Sequence, residues 1–109
     1  MLDARNTSKE IEEGLPEIAV FGVGAVEQHS IHLPLGTDWL GVKYLSQKVA
    51  EALDAFLAPA LPFSMSECHG PMAGTVWLRP ETLASVLHDT VLSLQAQGFR
   101  KVLVAVSYT

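Results

Sequence analysis

Two short, uninterrupted apolar runs bracket this sequence and limit what it can become. Ile18-Ala19-Val20-Phe21 runs into Gly22 and Gly24, and Val102-Leu103-Val104-Ala105-Val106 lies close to the last of the 109 residues. The first reads as a buried strand ending in a loop, and the second is the clearest strand of the chain. Between them, Val42, Leu45, Val49, Leu53 and Phe56 recur at helical spacing, with Lys43, Gln47, Lys48, Glu51 and Asp54 interleaved. Leu83, Val86, Leu87, Val91 and Leu94 form a second helical stripe, opened by Pro80 and stopped by Gly98. A less regular strand is expected near Phe56 to Leu61, where Pro59 interrupts it. The order strand, helix, strand, helix, strand predicts an α/β layer with a parallel sheet.

A parallel sheet is normally covered on both faces, and two right-handed crossovers supply only two helices. Much of such a sheet would stay exposed, so association beyond a monomer is expected. Ligands bind beyond the carboxyl ends of parallel strands, which directs attention to the loop after Phe21 and to the residues after Val106. The length allows one small domain over 1–109. Seven Lys plus Arg against 12 Asp plus Glu argue against a nucleic-acid or anionic-membrane partner. The first 14 residues, with Lys9, Glu10, Glu12 and Glu13, lack the basic start and apolar run of a signal peptide. No stretch reaches the ~18 apolar residues of a membrane helix. The single cysteine, Cys68, excludes an internal disulfide, and a cytoplasmic location is expected.

The chemistry is concentrated in the segment from Gly24 to Asp38, directly after the first strand. Glu27 and His29 are two apart, so an extended backbone points both to one side. Asp38 returns at the start of the next helix. Carboxylate, imidazole and carboxylate can thus converge at one end of the sheet, a mixed set that suits Zn, Mn or Fe. Taken singly, each residue also has a plain structural reading. Glu-x-His is a short pattern, Asp38 stands where a helix cap would stand, and His32 beside Leu33 and Pro34 can be a packed loop histidine. Other features carry less. Cys68-His69 are adjacent, a poor geometry for a nucleophile and its base. Gly22-x-Gly24 lacks the third glycine of a nucleotide loop. His88 and Asp89 lie off the apolar stripe, on a solvated face, and Trp39 and Trp77 read as packing residues.

Glu27-Gln28-His29, His32-Leu33-Pro34-Leu35 and Thr37-Asp38 together resemble the signature of the creatininase family of amidohydrolases. Gly74-Thr75 with Leu78-Arg79-Pro80-Glu81-Thr82-Leu83 resembles a second family segment, and Gly98-Phe99-Arg100-Lys101 a third. The resemblance covers about residues 15–106 and only the front of a family domain. It implies a three-layer creatininase-like α/β fold with a mainly parallel sheet, of which this chain carries the first strand-helix-strand-helix-strand part. It also implies hydrolysis of a C–N bond in a cyclic amide or formamide by metal-activated water, two divalent ions (Zn, Mn or Fe), and homo-oligomers. Carried over residue by residue, Glu27 matches a ligand of one ion, His29 a ligand of the other, and Asp38 the carboxylate that bridges them. His32 matches no ligand. His69 resembles a histidine before the family's Phe-Pro-Gly-Thr turn and is a candidate substrate contact.

The departures are Ser30 where the family usually has Gly, Gly22 where Pro is usual, and Met72-Ala73 in place of Phe-Pro. After the last strand the family continues with Asn-Gly-His, whereas this sequence reads Ser107-Tyr108-Thr109. Tyr108 falls near the position of that ligand histidine, and a phenol of pKa ~10 is a poor metal ligand. The expectation is the N-terminal portion of a metal-dependent amidohydrolase, with little activity of its own. The alternative is a non-catalytic fragment that keeps the fold and weak metal binding.

Overall fold

The computed structural model describes residues 1–107. Its elements are β1 (Leu2–Asp3), α1 (Ser8–Glu13), β2 (Ile18–Val23), α2 (Thr37–Leu53), β3 (Phe56–Leu57), a 3-10 turn at Glu67–His69, α3 (Pro80–Ala96) and β4 (Lys101–Val106). The strands form one sheet in the order β1-β3-β2-β4, and every pairing is parallel. The sheet therefore has a fourth strand that the apolar pattern did not predict. β1 is only two residues long, too short for any periodicity to show. α1 was also unforeseen, yet it carries a capping box. Thr7 accepts from the Glu10 N–H, and the Glu10 carboxylate accepts from the Thr7 N–H.

β2 lies at the centre, and its alternation divides the core. Ala19, Phe21 and Val23 face one way and pack with Leu83 and Leu94 of α3 and with Phe99. Phe99 also stacks on Phe56, with ring centroids 5.3 Å apart. Val20 faces the other way and packs with Ala50 of α2 and with Ala55. The helices thus cover opposite faces, giving the three-layer arrangement expected. Full burial of a side chain such as Phe21 contributes roughly 1.5–3 kcal/mol.

α2 presents a different face from the one its large apolar residues suggest. Its buried residues are Val42, Ser46 and Ala50, one turn apart. Leu45 and Leu53 are 49% and 44% exposed, and Leu40 and Tyr44 also face outward. The reason is close packing. A Cβ on Gly22 would stand 3.0 Å from Val42 Cγ2, and one on Gly24 would stand 2.5 Å from the Cα of Trp39. Helix and strand approach too closely for leucines between them, so small residues take the contact. Gly24 therefore serves helix–strand contact.

The strand expected at Phe56 to Leu61 is shorter, ending at Leu57, with Leu61 returning for a single bridge to Val23. Pro59 between them has no N–H to donate. α3 buries Leu83 and Leu94 as the stripe predicts, with Leu87 and Val91 packed against the same cluster. Pro80 opens the helix and Gly98, at φ +104°, follows its end. β4 is an edge strand whose Leu103, Val104 and Val106 are 43%, 41% and 51% exposed. No helix among the described residues is long and apolar enough to cross a membrane.

Candidate metal centre

The carboxyl end of β2 leads into a loop that is fixed at several points. The Gly24 N–H donates to the Leu61 carbonyl, Val76 N–H to Val26, and Glu27 N–H to Leu35. The Gln28 N–H donates to Thr75 Oγ1 at 3.1 Å. The loop from Pro62 to Thr75 thus braces the segment that carries Glu27 and His29. Asp38 comes from the first turn of α2, whose N-cap is Gly36 without a side-chain capping bond. Asp38 is therefore one residue inside the helix and does not cap it, which leaves its carboxylate for the site.

One ligand atom from each of Glu27, His29 and Asp38 lies within 4.8 Å of the others. Glu27 is 1% exposed, and the side chains of His29 and Asp38 are 22% and 18% exposed. His29 Nδ1 stands 3.0 Å from the Glu27 carbonyl oxygen. A carbonyl only accepts, so Nδ1 carries the proton in the neutral ring and Nε2 carries the lone pair. That Nε2 faces Asp38 Oδ2 at 3.4 Å, a buried oxygen that receives no hydrogen bond among the described residues. The other oxygen, Oδ1, accepts from Ser107 Oγ at 3.0 Å.

Two such groups turned toward each other are satisfied by a proton on Nε2 or by a metal cation between them. Donor atoms each ~2.0–2.2 Å from one ion at a near-tetrahedral angle stand roughly 3.4 Å apart. The donor set, its tautomer and its separation all fit a divalent ion.

The histidines fall into separate classes. His69, on the 3-10 turn, places Nε2 3.4 Å from Glu27 Oε2 and Nδ1 2.8 Å from Gln28 Nε2. His32 is exposed and outside the cluster. His88 and Asp89 form an exposed pair on α3. Cys68 is exposed. Tyr108 lies outside the described residues. Three side chains that support the site carried no role in the sequence reading: Gln28, Thr75 and Ser107. Gln28 and Thr75 sat inside recognisable segments, but their partners are 41 and 47 residues away. Ser107 is 69 residues from Asp38, and no local pattern links them.

Comparison with known proteins agrees with this geometry. The family profile for creatinine amidohydrolase (creatininase) matches residues 4–107. The mycofactocin precursor peptide peptidase of Mycobacterium tuberculosis is 32% identical over a match covering 74% of this chain and 36% of its own length. A solved creatininase structure superposes with a TM-score of 0.84 at 27% identity, covering 94% of this chain and 43% of that one. A mutant creatininase described as the Zn-Zn type gives a TM-score of 0.82 at 26% identity, covering 94% and 43%. A creatininase described as Mn gives 0.82 at 26%, covering 94% and 44%. The chain spans about two fifths of the length of these relatives. With its profile match, its three-layer fold and the cluster at the end of β2, the chain belongs to the creatininase family of hydrolases.

Proposed function

We propose that this chain carries part of the metal site of an amidohydrolase, with Glu27, His29 and Asp38 as ligands of divalent ions. Asp38 would be shared between two ions, Glu27 serving one and His29 the other. The observation that carries this reading is His29 Nε2, the nitrogen opposite the bonded Nδ1, facing the buried Asp38 Oδ2 at 3.4 Å. Solved relatives described as Zn-Zn and Mn support zinc or manganese. When bound, such ions supply a water of lowered pKa and a Lewis acid for a carbonyl oxygen. The residues of this chain hold that site in shape. The Glu27 carbonyl fixes the His29 ring, and Ser107 Oγ holds one oxygen of Asp38. Glu27, buried at the end of β2, stands close to the other two candidate ligands.

The proposed reaction is hydrolysis of a C–N bond in an amide. Relatives described as creatinine amidohydrolase and as a precursor-peptide peptidase support a cyclic amide or a peptide-like amide as substrate class. Three ligand residues give each of two ions two protein ligands, fewer than a catalytic pair needs. We therefore propose that these 109 residues alone hold one ion and turn over amide slowly or not at all. Exposed Leu40, Tyr44 and Leu45 on α2 and Leu103 and Val106 on β4 support self-association of the folded chain.

Calorimetric titration with Zn and Mn tests the ligand assignment. Binding by the wild type and none by the Glu27→Ala, His29→Ala, Asp38→Ala triple variant is expected; equal heats would refute the three ligands. Activity is read on creatinine, formamides and short peptides, for the chain alone and mixed with the complementary portion of a complete relative. Robust turnover by the chain alone, lost in Asp38→Ala, would show that the ligand count is wrong.

A further inference from the structure

We propose that Gln28 is a positioning residue whose side-chain amide fixes His69 as the Nε2–H tautomer, with that nitrogen beside the Glu27 carboxylate. The chain of reasoning starts at the backbone. The Ser30 N–H donates to Gln28 Oε1 at 2.9 Å, and an N–H can only donate. This fixes which end of the Gln28 amide is oxygen. The other end, Nε2, is therefore the group 2.8 Å from His69 Nδ1. An amide nitrogen only donates, so His69 Nδ1 must accept and carries no proton. The ring's proton then sits on Nε2, which stands 3.4 Å from Glu27 Oε2.

The consequence concerns the role of His69. Its Nδ1 lone pair is engaged by Gln28, and its Nε2 bears a proton and lies 3.4 Å from Glu27 Oε2. Neither nitrogen offers a lone pair to an ion, so His69 acts through Glu27 by orienting that carboxylate. Hydrogen bonds to ligating groups fix their orientation, and losing one typically costs 10–100-fold in metal affinity. The Ser30 backbone supports this. Ser30 sits in a left-handed turn at φ 60°, and its N–H reaches the side chain of the residue two positions earlier. Thr75 holds the Gln28 backbone at the same point. The tautomer follows from hydrogen-bond directions alone, whereas its meaning for metal binding rests on the site reading above.

The test is a two-bond 1H–15N correlation spectrum of the labelled, metal-free chain, with His69 assigned from the signals lost in His69→Asn. The wild type is expected to show a protonated Nε2 and a bare Nδ1. In Gln28→Glu the carboxylate cannot donate, so Nδ1 should become protonated. In Gln28→Ala the single tautomer should give way to a mixture. A wild-type His69 protonated on Nδ1, or a Gln28→Glu variant that leaves Nδ1 bare, would overturn the proposal. If Gln28→Glu fails to fold, the wild-type spectrum and Gln28→Ala still decide it. Zinc titration of the same proteins separates the two readings. The Gln28 variants should bind roughly 10–100-fold more weakly than the wild type. The expected tautomer in a wild type that binds neither Zn nor Mn would support the lock and refute the metal site.

Discussion

Two histidines in this molecule each stand 3.4 Å from a carboxylate oxygen, and the two contacts are opposite in kind. On the His29 side Nδ1–H donates to the backbone carbonyl of Glu27, so in the neutral ring a lone pair faces Asp38. On the His69 side the Gln28 amide donates a hydrogen bond to a bare Nδ1, so the ring's N–H is the Nε2 beside Glu27. The first contact sets two acceptors against each other when the ring is neutral; the second sets a ring N–H beside a carboxylate. Distance alone does not tell a ligand from its support. The partner of the far nitrogen decides.

The largest expected effect breaks or upholds this contrast directly. In the proposed site His29→Ala would remove a ligand and should lower zinc affinity by more than ~100-fold, whereas His69→Ala should cost no more than ~10–100-fold. Calorimetric titration of both variants measures this, and equal losses would erase the distinction.

Packing sets the next effect. An added Cβ at Gly24 meets the backbone of Trp39, the residue after Asp38. Gly24→Ala should destabilise the fold by about 1–3 kcal/mol and weaken metal binding by moving the start of α2. Denaturant unfolding and zinc titration together would detect it. Unchanged stability would mean that α2 shifts freely, leaving the 3.4 Å separation without a rigid frame.

A smaller change sharpens the His29 contact itself. In Asp38→Asn, Oδ1 still accepts from Ser107 while the new NH2 group can donate to His29 Nε2. The metal-free protein should gain about 0.5–1.5 kcal/mol while losing metal affinity. A destabilisation of similar size would instead identify His29 as an imidazolium paired with Asp38.

Ser30→Gly acts on the His69 side only. Ser30 sits at φ 60°, a region in which an L side chain costs about 1–2 kcal/mol. Glycine's greater freedom in the unfolded chain offsets part of this, so a gain of up to about 1 kcal/mol is expected, with the His69 tautomer unchanged. Thermal unfolding and the nitrogen spectrum would check both halves.

The smallest effect bounds the pH range of these measurements. The Arg5 side chain and backbone N–H hold the Asp3 carboxyl at about 2, below its ordinary 3.8. A carboxylate with a lowered folded pKa contributes stability above about 4, and the contribution fades as pH falls toward about 2. Asp3→Asn should therefore flatten the acid side of a stability curve in that window and leave neutral pH nearly unchanged.

The sequence by itself determined the layer order and the ligand candidates. The stripe over Pro80–Ala96 and the apolar run at β2 were legible because those segments bury a continuous face, and the run at β4 because its β-branched residues suit a strand even at an exposed edge. Glu27 and His29 were legible because they share one short loop, and Asp38 because it opens the following helix. The face of α2 was misjudged since Leu45 and Leu53 advertise burial while Ser46 and Ala50 do not. Only the tertiary structure decided that question, because Gly22 and Gly24 bring helix and strand too close for large side chains. It alone decided the partners of Gln28, Thr75 and Ser107, which lie 41 to 69 residues away along the chain. Local patterns record which way a residue faces in its own element. Which nitrogen of a histidine bears the proton depends on groups brought beside it by folding, and no stretch of sequence holds both.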